Sequence, residues 1–82
     1  MQKYVVEHEY KTPLTDQAHN EEAQRAEPCL KQYGVVWKCS YLALDRMKMI
    51  CEFEADSAER IRDALRSAEV PFVRVWPAIR YG

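Results

Sequence analysis

Four segments rich in β-branched and aromatic residues alternate with two that carry helical signals, and all six fit into 82 residues. The residue types predict strands over Tyr4–Tyr10, Val35–Leu42, Met47–Glu54 and Phe72–Ile79. Helical spacing predicts helices over Thr15–Tyr33 and Ser57–Glu69. Only the link between the second and third strands is hairpin-short. The order is therefore βαββαβ. A chain this short that meets that order folds as an α+β sandwich of the ferredoxin-like kind: one antiparallel sheet with both helices on one face, a single domain over residues 1–82.

Composition narrows the function classes. With 48% hydrophobic and 30% charged residues the chain can build a core, near the size where one core is only marginally stable. Its net charge is −1, with no basic block and no glycine-rich phosphate loop, so nucleic acid is not an expected partner. No apolar run approaches the ~20 residues of a membrane span. Met1 leads directly into strand-like sequence without a signal peptide's apolar region, so a cytoplasmic location is expected. Cys29, Cys39 and Cys51 are an odd number at wide spacing with no C-x-x-C pair. They suit reduced packing thiols in a reducing compartment better than a disulfide framework or a structural zinc site.

Punctuation marks the elements. Thr12 or Thr15 can cap the first helix, Pro13 falling in the first turn if Thr12 does so. Gly34 suits a helix C-terminus, Asp45-Arg46 a hairpin tip, and Asp56 with Glu59 the start of the second helix. That helix places Ala58, Ile61, Ala64, Leu65 and Ala68 on one face and is an ordinary amphipathic helix. The first helix is less ordinary. Its apolar stripe runs Ala23, Ala26, Leu30, Tyr33, and backward extension reaches His19 and Glu22, two metal-competent side chains at i and i+3. Pro28 removes one helical hydrogen bond, which predicts a kink near Gln24 and room beneath the helix.

The first strand supplies a third donor. Alternation puts Tyr4, Val6, His8 and Tyr10 on the more apolar face, opposite Lys3, Val5, Glu7 and Glu9. From His8 to Lys11 a strand rises about 10 Å, and from Thr15 to His19 a helix returns about 6 Å, so His8 and His19 can meet at similar height. With Glu22 they make a two-histidine, one-carboxylate set suited to a divalent transition metal: nickel, iron, zinc or copper. The competing reading is a hydrogen-bonded core histidine with Glu22 snorkelling outward. If the space holds an organic molecule, Tyr10, Trp37 and Cys51 are the expected lining. Glu7 and Glu9 are read as answering basic residues across the sheet or a subunit boundary.

The hairpin is apolar on both faces. Simple alternation puts Trp37, Cys39 and Tyr41 on one side and Val36, Ser40 and Leu42 on the other. A two- or four-residue loop pairs Ser40 with Cys51, whereas a three-residue loop with a bulge swaps the faces, and both stay open. With helices on one face only, the second apolar face, to which Val73, Val75, Trp76 and Ile79 add, needs a cover. Another copy of the sheet, a homodimer, is the simplest.

Tyr4-Val5-Val6-Glu7, Gly34-Val35-Val36-Trp37, Ser40-Tyr41, Asp45, Lys48, Cys51, Glu54-Ala55 and Val70-Pro71 together resemble a family of small bacterial ferredoxin-like proteins. That family was long catalogued as a domain of unknown function and includes a nickel-binding member. The resemblance spans nearly the whole chain and implies a ferredoxin-like protomer, pairing into a dimeric α/β barrel, and a capacity to bind nickel in at least one member. Cys39 and Pro28 depart from the usual pattern. The functional expectation is a small nickel-binding protein. The alternatives are a dimeric α+β-barrel enzyme, an oxygenase or isomerase, or a module holding a small hydrophobic ligand between sheet and helices. No Ser-His-Asp set or cofactor fingerprint marks an enzyme.

Overall fold

Alternation along the first strand sets how the sheet packs. In the computed structural model, which describes all 82 residues, β1 (Gln2–Glu9) buries Tyr4, Val6 and His8 at 8%, 0% and 2% exposure. The intervening Lys3, Val5 and Glu7 face the other way. The remaining elements are α1 (Asp16–Gln32), β2 (Val36–Leu42), β3 (Lys48–Ala55), α2 (Ala58–Ser67) and β4 (Arg74–Pro77). The four strands form one antiparallel sheet in the order β2-β3-β1-β4, the ferredoxin-like arrangement. The core joins Tyr4 and Val6 of β1, Cys51 and Phe53 of β3, and Ile61, Ala64 and Leu65 of α2. No helix is long and apolar enough to cross a membrane.

Local chemistry explains the element ends. Thr15, not Thr12, caps α1, its hydroxyl accepting from the Ala18 N–H at 3.1 Å, so Pro13 lies outside the helix. Ser57, rather than the expected Asp56, caps α2 by accepting from the Arg60 N–H. Both residue types cap well, and only the chain's direction of entry decides between them. α1 continues as one helix through Pro28. Both helices end in the same motif. After α1, Gly34 N–H reaches Lys31 O and Val35 N–H reaches Leu30 O; after α2, Glu69 reaches Arg66 and Val70 reaches Leu65. Gly34 takes the left-handed position at φ +69°, but in α2 that position falls to Glu69 at φ +57°. β4 is shorter than expected. It pairs with β1 from Tyr4↔Pro77 to Glu7↔Arg74, and single bonds from Val73 to Glu7 and from Ala78 to Lys3 flank it.

The hairpin carries the main correction to simple alternation. Ser40 pairs with Cys51 and Leu42 with Met49, but the register shifts between Trp37 and Cys39, so Lys38 is an extra residue and Trp37 pairs with Phe53. The bulge moves Trp37 to the helix-covered face with Ser40 and Leu42, and leaves Cys39 and Tyr41 outside. At the tip, the Met47 N–H donates to the Asp45 carboxylate at 3.0 Å, and Arg46 adopts φ +65°.

The outer face is part ionic and part apolar. Lys3 reaches Glu52 at 2.9 Å and Glu54 at 3.3 Å, and Glu7 accepts from the Trp76 indole at 2.7 Å and faces Arg74 at 3.6 Å. Around them Tyr41, Ile50 and Trp76 stay 71%, 47% and 41% exposed, whereas Val75 turns inward and is buried.

A left-handed non-glycine residue costs about 1–2 kcal/mol, against the ~0.5–1 kcal/mol extra that glycine loses on folding. Glu69→Gly is therefore expected to raise stability by about 0.5–1 kcal/mol in urea unfolding. An unchanged or lower unfolding midpoint would contradict the strain assigned to this turn.

Candidate functional site

The two helices sit on the sheet differently. α2 sinks Ile61, Ala64 and Leu65 into the core, whereas no residue of α1 is buried. Alanines at positions 23 and 26 give α1 a shallow face, and polar bonds hold it in place. Arg46 pairs with Asp16 and donates to the Leu14 carbonyl at 2.6 Å. Arg25 donates to the carbonyls of Ala68 and Glu69 at the end of α2, and Arg60 donates to Tyr33 O. Between α1 and the sheet lies a cavity of about 430 Å³. Trp37, Met49, Cys51 and Phe53 contribute from the sheet, Ala23, Ala26 and Leu30 from α1. This size is within the range of about 300–1,000 Å³ of small-molecule sites.

Polar groups also line the cavity. His8 is 2% exposed, and its Nδ1 lies 2.8 Å from Pro71 O. A carbonyl only accepts, so Nδ1 carries a proton. Burial lowers the His8 pKa, opposed by the Pro71 carbonyl and the Glu22 charge. The neutral ring therefore leaves Nε2 as a free lone pair. Trp37 Nε1 donates to Ser40 Oγ at 2.8 Å, and Ser40 Oγ donates to Cys51 Sγ at 3.0 Å. Burial outweighs that hydrogen bond and pushes the Cys51 thiol up to about 11. Cys51 is thus a protonated, poorly nucleophilic thiol near neutral pH.

Of the residues singled out in the sequence, His8, His19, Glu22, Trp37 and Cys51 line this one cavity. Tyr10 does not line it. Its ring stacks parallel to His8 with centroids 6.4 Å apart, and its buried hydroxyl has no hydrogen-bond partner. Burial, then the charges of Glu22 and Cys51, raise the Tyr10 pKa. No three histidine, cysteine or acidic side chains are gathered closely enough to hold a metal ion. His8, His19 and Glu22 share the cavity without forming a closed donor set, and His8 has the hydrogen-bonded core position of the competing reading. Ser40 and the Pro71 carbonyl were missed. Only the hairpin register, which pairs Ser40 with Cys51, could have flagged the first, and a backbone carbonyl leaves no sequence signal.

Fold and cavity define a class: small ferredoxin-like α+β proteins with a lined space between the first helix and the sheet. The chain belongs to the family described as nickel responsive protein SCO4226-like, whose model matches residues 4–77. The crystal structure of SCO4226 from Streptomyces coelicolor A3(2) superposes with a TM-score of 0.86, at 14% sequence identity, covering 98% of this chain and 99% of that one. At that identity the likeness is one of fold. A comparison with curated proteins finds no match.

The buried histidine makes stability depend on pH. The folded pKa of His8 lies below the ordinary 6.5, so the unfolded chain binds the proton more readily. The stability associated with neutral His8 is fully present above about pH 6.5 and is lost as pH falls below it. Urea unfolding between pH 7.5 and 5 is expected to show a steeper decline for wild type than for His8→Gln. Parallel profiles would mean that His8 is not held neutral.

Proposed function

We propose that this protein binds a divalent transition metal, nickel foremost, at the polar end of the cavity. One observation carries the reading: the His8 ring is fixed by Pro71 O through Nδ1, leaving Nε2 unprotonated in a cavity that His19 and Glu22 also line. Metal-binding histidines ordinarily donate their second nitrogen to such an oxygen. Imidazole and carboxylate donors follow the usual rise in affinity toward nickel and copper, and membership of a nickel-responsive family favours nickel. The side chains do not close a donor set by themselves, so His8, His19 and Glu22 would hold the ion with water completing its shell. Nickel is the ligand here, not a catalyst. The free thiols of Cys29, Cys39 and Cys51 suit work in a reducing cytoplasm.

Calorimetric titration with nickel at neutral pH is expected to show binding by wild type, weakened at least tenfold in both His8→Ala and His19→Ala. Nickel should raise the melting temperature, and chelation should reverse the rise. Undiminished affinity in both variants overturns the site; no heat and no thermal shift for wild type overturns metal binding altogether.

The working form we propose is a homodimer joined through the outer sheet face, where Tyr41, Ile50 and Trp76 leave apolar surface uncovered. Light scattering at micromolar concentration is then expected to return twice the 9.7 kDa chain mass, and Ile50→Glu to return the single mass. A wild-type value of 9.7 kDa defeats the pairing.

A further inference from the structure

The cavity is larger and more apolar than a metal ion needs. An ion with three waters occupies about 100 Å³ at the ~30 Å³ that each water takes in the liquid, a small part of the 430 Å³ present. Eleven of the 18 lining residues are hydrophobic, so most of the space offers water few partners. Its floor is aromatic and aliphatic (Trp37, Met49 and Phe53) and its roof is the shallow Ala23–Ala26 stretch of α1, a slot suited to a flat body.

The charges in the lining determine the head group. Lys31 is the lining's lysine, and it is 3.3 Å from Glu27, which is also in the lining. Glu22 has no ion-pair partner and no hydrogen bond, and His8 offers a lone pair at Nε2 because its Nδ1 proton is held by Pro71 O. Both groups accept. The Trp37 indole N–H, a nearby donor, is already given to Ser40. A ligand with N–H donors and positive charge satisfies these groups, whereas a carboxylate meets the Glu22 charge and finds the lining's lysine already beside Glu27.

We infer that the cavity is a binding site for an aromatic amine, its ring between Trp37, Phe53 and the α1 alanines and its ammonium head against Glu22 and His8 Nε2. This binding requires no metal and stands apart from the nickel reading, although the two ligands share the polar end of the cavity.

The test is calorimetry on chelator-treated protein at neutral pH with 2-(1-naphthyl)ethylamine and with 1-naphthylacetate, two probes with the same ring and opposite charge. The amine is expected to bind at least about tenfold more tightly than the acid, the size of effect that a charge-assisted hydrogen bond provides. Glu22→Gln, a half-buried surface-side change, should remove that preference while the melting temperature stays within a degree or two. Ala26→Trp should block the amine by filling the slot, and its circular dichroism and melting curve report whether it folds. Equal affinities for the two probes, an amine preference that survives Glu22→Gln, or no heat with the amine each overturn the proposal. Nickel titration of the same chelator-treated sample separates the two readings, since amine binding without nickel binding sinks only the metal site and the reverse sinks only this one.

Discussion

The standoff between α1 and the sheet is the constraint from which the site follows. A helix usually reaches its sheet by burying an apolar stripe, and α2 does so with Ile61, Ala64 and Leu65. α1 has alanines where larger residues would stand and buries nothing fully. At about 25 cal/mol per Å² of apolar surface, two alanines supply little force to collapse the gap. Arginines set the height instead: Arg46 at the hairpin tip holds the start of α1, and Arg25 bonds the last carbonyls of α2. Those carbonyls sit at the negative end of a helix dipole and receive a guanidinium well. Polar tethers fix distance without demanding contact, and the cavity is the space they keep open.

The floor of that space depends on one extra residue. Without the bulge at Lys38, Trp37 would face outward with Cys39 and Tyr41, and the cavity would lose its largest aromatic wall. With the bulge, Trp37 and Ser40, three apart, share a face and the indole N–H can reach the hydroxyl. Ser40 then points its own proton at Cys51. This short chain satisfies every polar atom in it except sulfur's weak remaining capacity, so the middle of the floor is chemically quiet. Reactive potential is left to the His8 and Glu22 end.

Much of this was legible in the sequence because it rests on short-range periodicity. The inward set of β1, the apolar face of α2, the Gly34 terminus and the Asp45-Arg46 tip all follow from spacing and residue type. That His8, His19 and Glu22 line one space was legible from the same periods plus chain reach, but not that they form no closed donor set. The illegible parts depend on choices between near-equals or on distant residues. Ser57 and Asp56 are both good caps. Lys38 has none of the glycine character that often marks a bulge. Glu69 in a left-handed conformation runs against the usual preference for glycine. Most consequential, α1 is tied down by Arg25 and Arg46, whose partners lie 43 and 32 residues away for the carbonyl bonds. No local pattern encodes those bonds.

The outer face clarifies why the inner one is the place to look for ligand chemistry. Glu52 and Glu54 converge on Lys3. The hydrogen bond from Lys3 to Glu52 raises the Lys3 pKa and lowers that of Glu52, each charge favouring the other. Glu7 accepts the Trp76 indole and faces Arg74. Such surface pairs add little to stability, but they occupy these carboxylates and leave a paired ionic strip between apolar patches, a surface suited to another protein chain more than to a free ion. Glu22 is the converse case. It lies on the helix that stands away from the sheet, in the same cavity lining as a histidine whose proton is already committed. A carboxylate without an ion-pair partner and a fixed lone pair in one cavity lining both call for a donor or a cation.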